Sequence, residues 1–393
     1  MNIGIVGDFY PHQRNINGKI AENKYIYANK TDLFTLKKVI NKKLKVNIFK
    51  IKYDDQFKFK EIWKNKEIDV YHFFNSISLS SFTPWVTSCE TLVPRLSQTL
   101  NCHHGSHPDY AALKEDKEVD NALNAIADKS CLGILPLSEC SKRMQLDFLK
   151  HFPKYAETIQ KKTFVTHPPQ KLLVKQLEDK KLNYSGKLRF LFVGGAFHRK
   201  GGVEMYNVFN KLRHLYDFEL IIVSSFARSG WAKKESEEDV IQAKELIKNS
   251  SWIQYYNSLP NNQVLELMKN SHIGLLPTWA ETYGFSVLEM QASGCPVITT
   301  DIRALPEINN NDLGWIINIP KNRLGEAIYT TTADRAAIAQ AIENGLEKCL
   351  IEIFKNQESI QVKAEKCLTQ IKVNHSPEAH ANKLKSIYSK SRN

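Results

Sequence analysis

Two carboxylates, Glu281 and Glu289, stand eight residues apart around a Tyr-Gly-Phe-Ser turn, inside the run from Leu276 to Glu307. That run reads as a strand end, an acidic loop, a short helix, Gly294 and a further strand. Such an order brings acidic groups, exposed backbone N–H groups and a helix N-terminus to one sheet edge. Carboxylates accept hydrogen bonds from sugar and ribose hydroxyls, and a helix N-terminus attracts phosphate. The chemistry suited to this edge is the binding of a polyhydroxylated, phosphorylated ligand. Ser286 and Glu289 also match the S-x-x-E capping box, so Glu289 has a second reading as a helix cap. Glu281, beside Trp279 and Tyr283, has a second reading as a solvated surface acid.

A second constellation is the glycine-rich stretch Gly194-Gly195-Ala196-Phe197-His198-Arg199-Lys200-Gly201-Gly202. It follows an apolar strand and opens a helix. Glycines let the backbone approach a ligand, and the helix start offers N–H groups at a positive end. Arg199 and Lys200 add two cations at that spot, which suits a pyrophosphate; an ordinary basic strand-to-helix turn would read the same way.

The elements that must position these groups follow from the apolar pattern. Ile3–Gly7, Asp69–Phe74, Leu96–Cys102 and Cys131–Pro136 read as strands in the first half, with helices over Asp32–Ile40 and Ser141–Phe152. The second half repeats the pattern more cleanly: strands over Arg189–Val193, Phe218–Val223, Trp252–Tyr255, His272–Leu276 and Val297–Thr300. Helices are expected from about Gly202, from Ser236 to Lys248 with Asp239 completing a capping box, and over Asn261–Lys269. In the first of these, Val203, Tyr206, Phe209, Leu212 and Leu215 recur at three-residue steps as an apolar stripe. Strand–helix alternation implies parallel, doubly wound sheets, which bind ligands at the carboxyl ends of their strands. His167–Gly186, with two prolines and the charged run Lys175–Lys181, is the linker candidate, and Ser376-Pro377 opens a last helix.

Bulk properties narrow the class. A chain of 393 residues suits two domains. No apolar run approaches the length of a membrane span, and the N-terminus reads as a first strand, so the expected location is cytoplasmic. Seven cysteines without a C-x-x-C argue for reduced thiols and against zinc. The net charge of +12 is concentrated at Lys37–Lys66 and Lys142–Lys181. It suits either a plain solvated surface or peripheral contact with an anionic membrane at its inner face; nucleic acid is not expected, since no recognised motif is present.

Four segments together resemble the C-terminal domain of the retaining group 1 glycosyltransferases, the glycogen synthase and mannosyltransferase-like family. They are 192–202, 275–290, 293–301 and 305–308, the last reading Leu-Pro-Glu-Ile. The resemblance implies a GT-B fold, two Rossmann-like domains facing a central cleft. Residues 1–170 would form the acceptor-side domain, joined by the closing helix 375–393, and residues 187–374 the donor domain. The loop at 7–19 resembles the family's first loop, with Gly18 toward the donor phosphates. Leu100–Ser106 resembles its histidine segment, with His104 the better match. The turn at 135–143 resembles the family's S-x-x-x-K-R element.

By that resemblance a UDP- or GDP-sugar is the substrate and no cofactor is needed. Glu289 binds ribose hydroxyls, Lys200 with Arg199 neutralises the diphosphate, and Glu281 with the amides of Gly284, Phe285 and Ser286 holds sugar and phosphate. His104 reaches the donor sugar, which makes His104, Glu281 and Lys200 the expected catalytic set. No D-x-D occurs, so a bound metal is not indicated. One departure stands out: many family members carry an arginine where this chain has Gly194-Gly195. The acceptor would be a hydroxyl of a surface polysaccharide, glycolipid or glycoprotein. A GT-B sugar-nucleotide epimerase and a non-catalytic sugar-nucleotide or glycan-binding protein are the alternatives.

Overall fold

The structure, a computed structural model, describes residues 1–6, 10–28, 32–45, 48–180, 182–184 and 186–392. Gly7 and the next two residues of the first-strand loop lie outside them. Two units emerge from the contacts along the chain. One comprises Met1–His104, Pro108–Pro169 and Pro377–Asn393; the other comprises Gly105–His107 and Gln170–Ser376.

The first unit carries β1 (Asn2–Ile5), β2 (Lys24–Tyr27), β3 (Lys58–Phe59), β4 (Val70–Phe74), β5 (Ile77–Ser78), β6 (Trp85–Cys89) and β7 (Cys131–Pro136). Five of them form a parallel sheet in the order β2-β1-β4-β6-β7, and β3 pairs with β5 separately. Strands β4 and β6 are buried at every position, as a parallel sheet covered on both faces requires. Its helices are α1 (Tyr10–Asn15), α2 (Leu33–Leu44), α3 (Ser97–Asn101), α4 (Lys117–Ala127), α5 (Glu139–Leu149) and α6 (Pro153–Lys161). Leu96–Cys102, expected as a strand, is α3 instead, and the strand of that region is β6. Thr99 explains the difference. Its hydroxyl accepts from the Leu96 amide at 2.9 Å and donates to the Pro94 carbonyl at 2.9 Å. Such local side-chain bonding competes with an extended ladder.

The second unit carries β8 (Leu188–Val193), β9 (Phe218–Val223), β10 (Ile253–Tyr256), β11 (Ile273–Leu276), β12 (Val297–Thr300) and β13 (Trp315–Ile317). All pair in parallel, in the order β10-β9-β8-β11-β12-β13. Counted from β8, that is the doubly wound order 3-2-1-4-5-6, which reverses between β8 and β11. Its helices are α7 (Gly202–Leu212), α8 (Glu237–Asn249), α9 (Asn261–Lys269), α10 (Phe285–Ala292), α11 (Leu305–Ile308), α12 (Thr332–Lys355) and α13 (Glu358–Asn374). Ser236 caps α8 as expected: it accepts from the Asp239 amide at 3.0 Å, and Asp239 accepts from the Ser236 amide at 2.8 Å. The buried face of α7 is Met205, Val208, Phe209 and Leu212, while Leu215 is 71% exposed. A strict three-residue step falls behind the helical period of about 3.6, so the expected stripe drifts off the core.

Segment 170–180, read as a linker, lies on the second unit. The Leu173 amide donates to Ala292 O at 2.8 Å, and the buried Lys180 ammonium donates to Ser271 O at 2.9 Å and Gly294 O at 2.8 Å. A lysine that looks solvated in a charged run here caps two carbonyls. After Ser376 the chain returns to the first unit as α14 (Pro377–Tyr388). Leu384, Ile387 and Tyr388 enter the core beside Ile3, Val70, Val86 and Leu135. Tyr388 also meets the buried His72 ring at 2.6 Å.

Candidate functional site

Order reversal at β8 and β11 leaves the loops after these two strands side by side at the carboxyl edge. Both belong to the second unit, and they carry the two constellations singled out above. Gly201 joins them. It caps α7 with φ +78°, and a Cβ there would lie 1.9 Å from Pro277 O. Only glycine meets both demands. Around it the Trp279 amide donates to Arg199 O at 2.9 Å, and the Thr278 hydroxyl donates to the same carbonyl at 3.1 Å. In return an Arg199 Nη donates to Ala280 O at 2.6 Å.

This clamp sets Lys200 against Glu281. Their ammonium and carboxylate form an ion pair, with side chains 14% and 12% exposed. Burial works to raise the Glu281 pKa, but the charge and hydrogen bond of Lys200, with Arg199 and the Thr282 amide, outweigh it and hold the carboxyl below its ordinary range. Glu281 is therefore an anion at neutral pH, and one of its oxygens accepts from the Thr282 amide at 3.0 Å.

Three residues on, Gly284 caps α10 with φ +99°. A Cβ there would meet Leu305 at 2.8 Å. The amides of Phe285 and Ser286 lie in the first turn, beyond the reach of an intrahelical acceptor. Glu289 is one turn further along the same helix and is 8% exposed. The expected S-x-x-E capping box is absent as such. Since the cap is Gly284, Ser286 is already inside the helix and Glu289 lies too deep to reach back. Helix α10 is seated by Gly274 of β11, where a Cβ would stand 2.2 Å from Met290 Sδ.

At Gly194-Gly195, where the family resemblance would place an arginine, a Cβ on Gly194 would stand 3.0 Å from Lys200 Cγ, so the lysine stem passes close by this turn; a Cβ on Gly195 would meet only Ser225 Oγ at 3.3 Å. Arg199 is held in place by Ala280 and by the Trp231 ring, whose centroid is 5.2 Å from its guanidinium carbon.

Trp231 was not singled out from sequence. It sits in the loop after β9, which shares the same carboxyl edge, and its ring lies 6.3 Å from that of Tyr329. The same loop brings Lys233 to the buried Glu204 as an ion pair and to within 5.1 Å of the Trp279 ring centroid. Its signal was present as a lone tryptophan beside Gly230, between Arg228 and Lys233. Gly18 and His104 belong to the first unit. Gly18 has φ +69° with open space where a side chain would stand. His104 follows α3, donates its amide to Leu100 O at 3.0 Å and packs edge-on against His103.

Residues 174–348 match the model of a family described as glycosyl transferases group 1, a stretch of less than half the 393 residues. O-antigen chain mannosyltransferase B of Escherichia coli is 26% identical over 129 residues, 30% of this chain and 32% of that protein. Alpha-maltose-1-phosphate synthase of Mycobacterium tuberculosis is 24% identical over 173 residues, 41% of this chain and 43% of that protein. The aligned part of the chain thus spans well under half the length of these curated relatives. Among solved structures, HepE of Anabaena in complex with UDP has a TM-score of 0.60 at 10% identity, covering 99% of both chains. A glycosyltransferase of Rickettsia africae has a TM-score of 0.58 at 14% identity, covering 99% of this chain and 98% of that one. At such identities the likeness shows the fold, which is the α/β, parallel-sheet fold of the GT-B glycosyltransferases.

Proposed function

We propose that the chain is a retaining glycosyltransferase, moving a sugar from a nucleotide-diphosphate donor to a hydroxyl acceptor. The observation that carries this reading is the Lys200–Glu281 pair at the β8–β11 switch point, next to the first turn of α10. The match of residues 174–348 to the group 1 family supports it, as does the UDP complex of HepE.

Cleaving a glycosyl–phosphate bond builds positive charge on the sugar and negative charge on the departing diphosphate. Fixed charges and dipoles that meet both are often the largest catalytic contribution. In this reading Lys200, with Arg199 beside it, takes the diphosphate. An ammonium has three donors, so Lys200 can keep Glu281 while it does so. Glu281 stays ionised and accepts from sugar hydroxyls, and the amides of Gly284, Phe285 and Ser286 take the adjoining phosphate. Glu289 takes the ribose hydroxyls. Gly18 and His104 are assigned to the donor phosphates and the donor sugar on the family resemblance alone. The reaction needs no metal in this scheme, the base is uracil or guanine, and the acceptor belongs to a surface polysaccharide, glycolipid or glycoprotein.

Titration calorimetry with UDP, GDP and their sugars tests the assignment. Glu289→Ala is expected to weaken nucleotide binding roughly tenfold or more, through loss of charged hydrogen bonds. Binding as tight as that of the parent protein would remove Glu289 from the ribose role.

A further inference from the structure

Helix α2 is inverted relative to the usual logic of a packed helix. Most helical stability in proteins comes from burying an apolar face. In α2 the one buried residue is Asn41, which bonds the Phe49 backbone on both sides, at 2.8 and 3.0 Å. Leu36, Val39 and Leu44 are 41%, 42% and 57% exposed. Their spacing puts them on one arc with Ile40 between. Exposed apolar groups continue past the helix at Ile48, Ile51 and Tyr53. Lysines 37, 38, 42, 43 and 45 interleave with them, and Leu33–Lys45 contains no acidic residue. The helix is nonetheless anchored, since Asp32 accepts from the amides of Thr35 at 2.8 Å and Lys60 at 2.9 Å.

A cavity of about 480 Å³ adjoins it, lined by Phe34 and Lys37 of α2 together with Lys50, Lys52, Lys58 and Lys117. Only two carboxylates line the same space, Asp55 and Glu118. Both are engaged by Lys58, and Glu118 also by Lys52 at 3.5 Å. Lys37, Lys50 and Lys117 form no ion pair among the described residues, so the cavity keeps an excess of positive charge.

We propose that α2 and the Ile48–Tyr53 segment form a docking surface for an anionic phospholipid bilayer. The apolar arc enters the acyl boundary, and the lysine cavity takes a lipid phosphate. Charge complementarity selects this occupant. Lysine is depleted at protein–protein interface cores. At a membrane surface its stem lies on apolar groups while the ammonium reaches the headgroups. Anionic lipid attracts each such cation. This inference does not depend on the donor-site reading.

Co-sedimentation of the full chain with vesicles tests it. Vesicles of phosphatidylcholine with about three parts in ten phosphatidylglycerol should bind at least roughly tenfold more protein than pure phosphatidylcholine. Added salt should weaken that binding. The double substitution Leu36→Ser with Val39→Ser, on groups already in solvent, should cut it about tenfold. Lys37→Glu with Lys42→Glu should do the same, and Leu215→Ser in the other unit should change nothing. Equal binding to both vesicle types would overturn the proposal, as would indifference to the α2 substitutions. So would light scattering that shows a dimer which the Leu36/Val39 variant dissociates, because a second copy would then be the occupant.

Discussion

At the scale of single residues, the Lys200–Glu281 pair decides most. Its partners are 81 positions apart in sequence and both are largely buried. Lys200→Ala leaves a carboxylate in a poorly solvated place, and a cost of about 3 kcal/mol is expected, read from urea denaturation. The double variant Lys200→Ala with Glu281→Ala should recover most of that loss while turnover stays abolished. This separates the structural role of the pair from the chemical one proposed for it. Because the Glu281 carboxyl is held low, the pair's contribution is present above the ordinary carboxylate value and is lost as pH falls through the lower folded value. Gly201→Ala combines a left-handed backbone with a clash against Pro277 O, so about 3 kcal/mol or more should be lost, together with turnover. Such residues were readable in part. The glycines and the acids announced themselves through turn chemistry and spacing. That Glu289 is not a cap was unreadable, since Ser-x-x-Glu reads the same whether the helix starts at Ser286 or two residues earlier.

Among elements, α14 places Leu384, Ile387 and Tyr388 in the core of the first unit. Its Tyr388 packs against His72, whose ring also faces the Ser88 hydroxyl at 2.8 Å in a fully buried setting. Burial, reinforced by the charges of His12 and His380, pushes the His72 pKa well below 6.5. The unfolded chain therefore takes up a proton that the folded chain resists. Stability from this site is full above about pH 6.5 and falls as the pH drops from there toward the lower folded value. Urea midpoints at pH 7.5 and 5.5 should show the loss, and His72→Gln should reduce the difference, leaving the part contributed by the buried His198, His272 and His380, whose pKa values burial also lowers. At this scale the regular segments were legible in part: the five strands from Leu188 to Thr300 follow from short β-branched and aromatic runs bounded by turns, whereas β13 and the long helices α12 and α13 were not among the expected elements. Helix α3 was not legible either, because Leu96–Cys102 has the composition of a strand and only Thr99, bonding to its near neighbours, turns it into a helix.

For the molecule as a whole, the donor reading makes a thermodynamic claim. A nucleotide that binds only the folded chain raises its stability by about 2.7 kcal/mol at a hundredfold excess over Kd. UDP or GDP should therefore raise the melting temperature, and Lys200→Met should cancel most of the rise; no shift with either nucleotide would count against the reading. From its own pattern the sequence determined the parallel α/β architecture, the glycine turns and the acidic stretch after β11. These depend on hydrophobic period and backbone conformation over a few residues. Tertiary structure alone decided that Lys200 pairs with Glu281, that Trp231 lies against Arg199, and that Lys180 is buried on two carbonyls. It also decided that α2 turns its apolar arc outward around Asn41. Each of these depends on which surfaces meet after strands far apart in the chain have paired, and no local pattern carries that information.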